Sequence, residues 1–134
     1  MSEESAREKK IEPLARIVGH TTYSRHPSEF TIAPIDAVGK LLNKVGWDKS
    51  EVDLFEINEA FAMVTMLAIR ELDLDADKVN IHGGACAQGH PIGSTGSRII
   101  VTLIAALRKL AKKRGIAALC IGGGEATAMA IELL

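Results

Sequence analysis

"VDLFEINEAFAMVTMLAIREL", Val52 to Leu72, joins two kinds of local structure with no spacer between them. Val52 to Ile57 is short, apolar and rich in strand-forming residues, whereas the apolar run after Asn58 has the length of a helix. A strand that passes directly into a helix is the repeating unit of an α/β sheet. At the join, Asn58 is expected to cap the helix, Glu59 to serve as a first-turn anion and Phe61 to enter the core.

The same alternation extends in both directions. Toward the N-terminus, "LARIVGHTTY", Leu14 to Tyr23, reads as a strand, and a helix follows in which Pro34 suits the first position. Ile35, Val38, Leu41, Leu42 and Val45 share one face of it, and Gly46 stands where it should stop. Ahead of these, Ser2 caps a short helix with Glu3 and Glu4 at its start and Arg7, Lys9 and Lys10 at its end, broken by Pro13. Toward the C-terminus, the extended "VNIHG" leads into "GGACAQGHPIGSTG", Gly83 to Gly96. Ser97 to Arg114 then predicts a helix, apolar almost all round between Ile99 and Leu107 and therefore buried. An inner strand at Gly115 to Ile121, a turn at Gly122 to Gly124 and an antiparallel strand "ATAMAIEL" complete the chain. The reading is one α/β domain, residues 1 to 134, with a mixed sheet between helix layers and a hairpin at its end.

With 134 residues, 47% hydrophobic and 25% charged, the chain is long enough for one real core. Sixteen basic against 17 acidic side chains leave no net field to draw nucleic acid or a membrane. Trp47, Tyr23, Phe30, Phe55 and Phe61 are too few for a stacking platform. Cys86 and Cys120 form no CxxC pair and no disulfide framework, which fits a reducing compartment. "MSEESAREKK" has no signal-peptide core and the stretch around Ile99 to Leu107 is too short to span a bilayer, so a cytoplasmic location is expected.

Ligands of α/β sheets collect beyond the carboxyl ends of strands, and Asn58, His90 and Cys120 all fall at or just past predicted strand ends. Each has an ordinary alternative. Asn58 alone is a cap, a thiol such as Cys120 is usually a small buried hydrophobe, and three glycines after it serve a plain hairpin as well as an oxyanion hole. His20 and His26 read as exposed and idle. His90 differs, because Gly89 lets another group approach and Pro91 stiffens the turn. The glycines fit neither GxGxxG nor a P-loop, and "GGGEAT" leaves no room for a βαβ unit. A metal site from His82, Cys86, His90 and Cys120 would need a helix for its i, i+4 spacing, which the glycines oppose. No metal is expected.

"NEAFA" at Asn58 to Ala62, "GGACAQGHPIGSTGSR" at Gly83 to Arg98 and "CIGGGEATAMAIE" at Cys120 to Glu132, with "EPLARIV" near the start, resemble the thiolase family over nearly the whole chain. The resemblance implies a three-layer α/β/α thiolase half-fold, and it is nearest to the short-chain, acetoacetyl-CoA-type members. By that likeness His90 matches the histidine that activates a nucleophilic cysteine and lines an oxyanion hole, and Asn58 the asparagine that holds that hole's water. Cys120 matches the cysteine that moves the α-proton, expected to have a low pKa beside imidazole, and Gly122 the glycine whose N–H steadies the acyl-enzyme adduct. The implied activity is that of the C-terminal part of an acetyl-CoA C-acetyltransferase, acting on coenzyme A thioesters with no other cofactor.

The chain departs from the pattern in that the family's nucleophilic cysteine lies in an N-terminal half, and Cys86 is no substitute for it. It also starts after a glycine-rich strand of the family, so the half-fold is expected to lack its first strand and to carry a gap inside the sheet. Gln88 stands where the family mostly has an apolar residue. The expectations are a chain inactive alone, partnered by an N-terminal thiolase half or a thiolase oligomer. The alternatives are a non-catalytic remnant that pairs with full-length thiolase chains, or a sterol-carrier or synthase-like relative.

Overall fold

A computed structural model describes all residues, 1–134. Its elements in chain order are α1 (Glu3–Glu8), β1 (Ala15–Ser24), α2 (Ala33–Val45), β2 (Leu54–Ile57), α3 (Ala62–Glu71), α4 (Ala85–Gln88), α5 (Thr95–Lys109), β3 (Arg114–Cys120) and β4 (Glu125–Leu133). The strands form one mixed sheet in the order β1-β4-β3-β2. β2 and β3 run parallel, and β4 is antiparallel to both β3 and β1. The sheet is continuous, with Ala15 opposite Leu133 and Ser24 opposite Glu125 along β1 and β4. The expected internal gap is therefore absent, because β1 lies at an edge and pairs directly with the returning strand.

Strand alternation sends side chains to two separate helix layers. Phe55, Ile57, Ile116, Ala118, Cys120 and Ala128 face α2 and α3, where Val38, Leu41, Val64 and Ala68 meet them. Leu54, Ala117 and Ile131 face the other way, against Ile99, Leu103, Ala106 and Leu107 of α5. Each fully buried leucine or isoleucine in these layers contributes about 1.5–3 kcal/mol by leaving water. The fold class is the α/β/α sandwich read from the sequence.

Local readings hold at several ends. Ser2 accepts from Ser5 N–H to cap α1, and Gly46, at φ +68°, stops α2 where a side chain would be strained. Others shift. α5 starts two residues before Ser97 and stops at Lys109, where the chain turns through Ala111 at φ +52° to reach β3. It is buried on one face only, since Val101 is 66% exposed. "VNIHG" contributes a single parallel bridge, Val79 with Phe55, in place of a strand. A single helical turn, α4, does form between the glycines; Gly84 precedes it and Gly89 ends it.

Candidate active site

β2 carries its ladder one residue past Ile57, with Asn58 N–H donating to Ala118 O at 2.9 Å. Phe61, not Asn58, is the residue that precedes α3, and it makes no side-chain cap. Asn58 is 1% exposed and Phe61 is 57% exposed, so both expectations for this junction reverse. The physical reason lies in Asn80. Its side chain accepts from Ile57 N–H and donates to Ile57 O, both at 2.8 Å, replacing a neighbouring strand at the outer edge of β2. The chain stays extended through Asn58 and its side chain is released from capping.

Glu59 is a latch between two distant segments. It accepts from Asn80 Nδ2 at 3.2 Å and from Cys86 N–H at 3.0 Å. It lies so close to the backbone of Gly84 that a Cβ there would sit 2.2 Å from the carboxyl carbon. The glycine-rich segment is thereby held over the end of β2.

His90 is brought to Asn58 by that latch. Its Nε2 lies 3.5 Å from Asn58 Nδ2 and its Nδ1 lies 2.6 Å from Thr95 Oγ1. Arg98, one turn further along α5, donates to Asn58 Oδ1 at 3.3 Å and to Gln88 Oε1 at 3.2 Å. Gln88 in turn donates to the carbonyls of His82 and Gly83. The polar residue at this position braces the loop.

Cys120 ends β3 at 8% exposure. With His90, Thr95, Gly122, Phe30 and Phe61 it lines a cleft of about 640 Å³. Phe30 and Phe61 meet edge to face at 6.0 Å in its apolar wall. Gly122 N–H has no acceptor within the chain, and nothing lies within 4 Å of the side where its Cβ would be. Three of the four candidate groups, His90, Cys120 and Gly122, thus share one cleft, and Asn58 reaches it through His90. Burial pushes the Cys120 thiol up, contrary to the low-pKa expectation, because no charged group is in hydrogen-bonding contact to offset the lost solvation. Cys86 is exposed, and its thiol is also raised, by desolvation and by the Glu59 carboxylate. No group of three or more His, Cys, Asp or Glu side chains is arranged to hold a metal ion.

Glu56, two residues before Asn58, points to the α5 face and is 2% exposed. Desolvation raises its carboxyl to about 7, with Arg98 opposing and Glu59 reinforcing. The folded chain therefore binds a proton that the unfolded chain has already released between pH 4.5 and about 7, so stability falls as pH rises through that window. The ionised form costs of order 3 kcal/mol above it. Glu56→Gln is expected to flatten this dependence and to be the more stable form on the alkaline side, read from urea unfolding at both ends of the window.

Thr95, Arg98 and Asn80 were not singled out by sequence reading, and Glu59 was read only as a first-turn anion, a place that α3, starting at Ala62, does not give it. Their signal was spacing: Thr95 and Arg98 lie i, i+3 at the start of a helix that directly follows the histidine loop.

Residues 11–133 match the family model "Thiolase, C-terminal domain". A probable acetyl-CoA acetyltransferase of Dictyostelium discoideum is 50% identical over 134 residues, which is 100% of this chain and 32% of that protein. The cytosolic acetyl-CoA acetyltransferase of Mus musculus is 47% identical over 132 residues, 98% of this chain and 33% of that protein. The crystal structure of the Bacillus anthracis acetyl-CoA acetyltransferase superposes with a TM-score of 0.97 at 49% identity, over 100% of this chain and 34% of that one. The chain spans about a third of the length of the curated relatives it matches.

Proposed function

Because the chain belongs to the thiolase family, as its C-terminal domain, we propose that it supplies the acid–base and oxyanion groups of an acetyl-CoA acetyltransferase. The observation that carries this reading is the meeting of His90, Cys120 and the free Gly122 N–H in one cleft, with Asn58 seated against His90. Removing a proton beside a thioester carbonyl needs a base at the α-carbon and donors at the oxygen that gains charge. In condensation, a nucleophilic cysteine on an N-terminal partner segment holds the first acetyl group as a thioester. Cys120 thiolate takes the α-proton of the second thioester, and the resulting carbanion attacks the acetyl carbonyl, breaking its C–S bond and expelling the nucleophilic cysteine as thiolate. Coenzyme A thioesters are the substrates and no further cofactor takes part.

A raised Cys120 pKa suits the reverse direction. In thiolysis the neutral thiol gives its proton to the α-carbon as the carbon–carbon bond breaks. Gly122 N–H steadies the tetrahedral adduct at the acyl-enzyme, and His90 with Asn58 serves the other carbonyl. Neither cysteine is set up to attack, Cys86 through its raised thiol and Cys120 through its burial, so the 134 residues alone are expected to be inactive. A cytosolic setting, as named for the mouse relative, belongs to the same proposal. No helix is long and apolar enough to cross a membrane.

The test is reassembly. The chain is combined with the N-terminal two-thirds of the Bacillus anthracis relative, and loss of acetoacetyl-CoA is followed after coenzyme A is added. Activity is expected only in the mixture. A folded, associated mixture without thiolysis sinks the catalytic reading and leaves a non-catalytic pairing module, and turnover by the chain alone overturns the dependence on a partner.

A further inference from the structure

The guanidinium of Arg98 carries only donors, so it is the oxygen of Asn58, at 3.3 Å, that must face it. The amide nitrogen of Asn58 is thereby turned to His90 Nε2, 3.5 Å away. A donor facing a ring nitrogen selects the form in which that nitrogen keeps its lone pair, and the single proton of neutral imidazole then sits on Nδ1. Nδ1 has an acceptor in Thr95 Oγ1 at 2.6 Å, and the Thr95 hydroxyl in turn donates to Pro91 O at 3.1 Å. Each bond fixes the direction of the next, from Arg98 to Asn58, His90, Thr95 and Pro91 O.

Only one end of this series is rigid. Pro91 O already accepts from the N–H groups of Ser94 and Thr95, so it would lose little if the hydroxyl turned away. Arg98 has no such freedom. It is held by Gln88 Oε1 on one side, its Nε is buried without a partner, and the buried Glu56 carboxyl lies near enough to feel its charge.

We propose that Arg98 is a positioning residue that sets the tautomer of His90 through Asn58, with Thr95 receiving the ring proton. The resting imidazole is the Nδ1–H form with an Nε2 lone pair. Its catalytic meaning rests on the thiolase role proposed above: in this form His90 takes a proton from a thiol before it donates one to an oxyanion.

Ring-nitrogen ¹⁵N spectroscopy of the intact chain tests this without any turnover. In alkaline buffer, where free imidazoles are neutral, the His90 signals are identified by their absence from His90→Asn. Nδ1 is expected to be of the protonated, pyrrole type and Nε2 of the pyridine type. Arg98→Met is expected to raise the Nε2–H form from a minority to at least half, and Arg98→Lys to retain a majority of Nδ1–H. Should Arg98→Met fail to fold, Asn58→Asp carries the test, since a carboxylate facing Nε2 draws the proton there and inverts the tautomer. A wild-type chain with the proton on Nε2, or a folded Arg98→Met or Asn58→Asp chain with an unchanged tautomer, overturns the proposal. A reassembly without thiolysis would leave this result untouched, so the two failures are distinct.

Discussion

Cys120→Ala is expected to lower condensation and thiolysis in the reassembled enzyme by about three orders of magnitude in kcat, with acetyl transfer from the first thioester to the partner's nucleophile preserved. The split follows from where the thiol lies. Cys120 ends β3 in the cleft wall, whereas the His90 ring is held by Asn58 and Thr95, so loss of the thiol removes a proton carrier without disturbing the imidazole. His90→Ala, in contrast, should suppress both half-reactions, because the ring is the group in line to take a proton from the nucleophile. A cysteine-to-alanine change removes one sulfur from the cleft wall and leaves the backbone pairing of residue 120 with Ala126 in place, so folding should hardly change. The pH dependence has a definite sign as well. Burial keeps the thiol protonated through neutral pH, so thiolysis should stay level there while condensation, which needs the thiolate, climbs on the alkaline side. Rapid-quench measurement of acetyl-enzyme beside steady-state rates decides the matter. Equal loss of acetyl-enzyme formation in Cys120→Ala would remove the assigned role.

Gly124→Ala is expected to destabilise the chain by at least about 3 kcal/mol, a large share of the 5–15 kcal/mol that holds a domain together. Gly124 has φ +100°, and a Cβ there would lie 2.4 Å from Arg25 O and 3.1 Å from His26 C and Pro27 N. Those are backbone atoms, which cannot swing aside as a side-chain tip would. The same residue accepts from Arg25 N–H at 2.9 Å, so the β3–β4 turn is tied to the exit of β1. Relief requires that tie to open, and Gly122 and Cys120 sit on the strand end just before it. Urea unfolding should show the loss. Gly39→Ala, on α2 with nothing within 4 Å of its would-be Cβ, should be neutral or mildly stabilising.

The alternation of elements was readable because it depends on local patterns: period-two strands, an amphipathic α2, and glycines that end helices. The meeting of His90 and Cys120 follows the expected sheet logic only in part, since Cys120 ends β3 whereas the loop carrying His90 lies beyond α4 and the single bridge at Val79. What escaped was set by contacts between distant residues. Asn58 has the chemistry of a cap, and only the side chain of Asn80, 22 residues on, keeps the strand extended through it. Phe61 is apolar enough for a core but stands at the cleft rim. Arg98 resembles an ordinary helix cation until the loop carrying Gln88 folds against it. The sheet's continuity was misjudged for a similar reason, because strand order is a long-range property that no local pattern records.

That order has a further consequence. The two strands at the middle of the sheet, β4 and β3, are made after the flanking β1 and β2. Until residue 133 is free of the exit tunnel, β1 has no partner to pair with and the cores on both faces stay open. β1 must wait unpaired from the time Ser24 is made until the strand that begins at Glu125 follows it, and nascent-chain chaperones would meet it exposed over that interval.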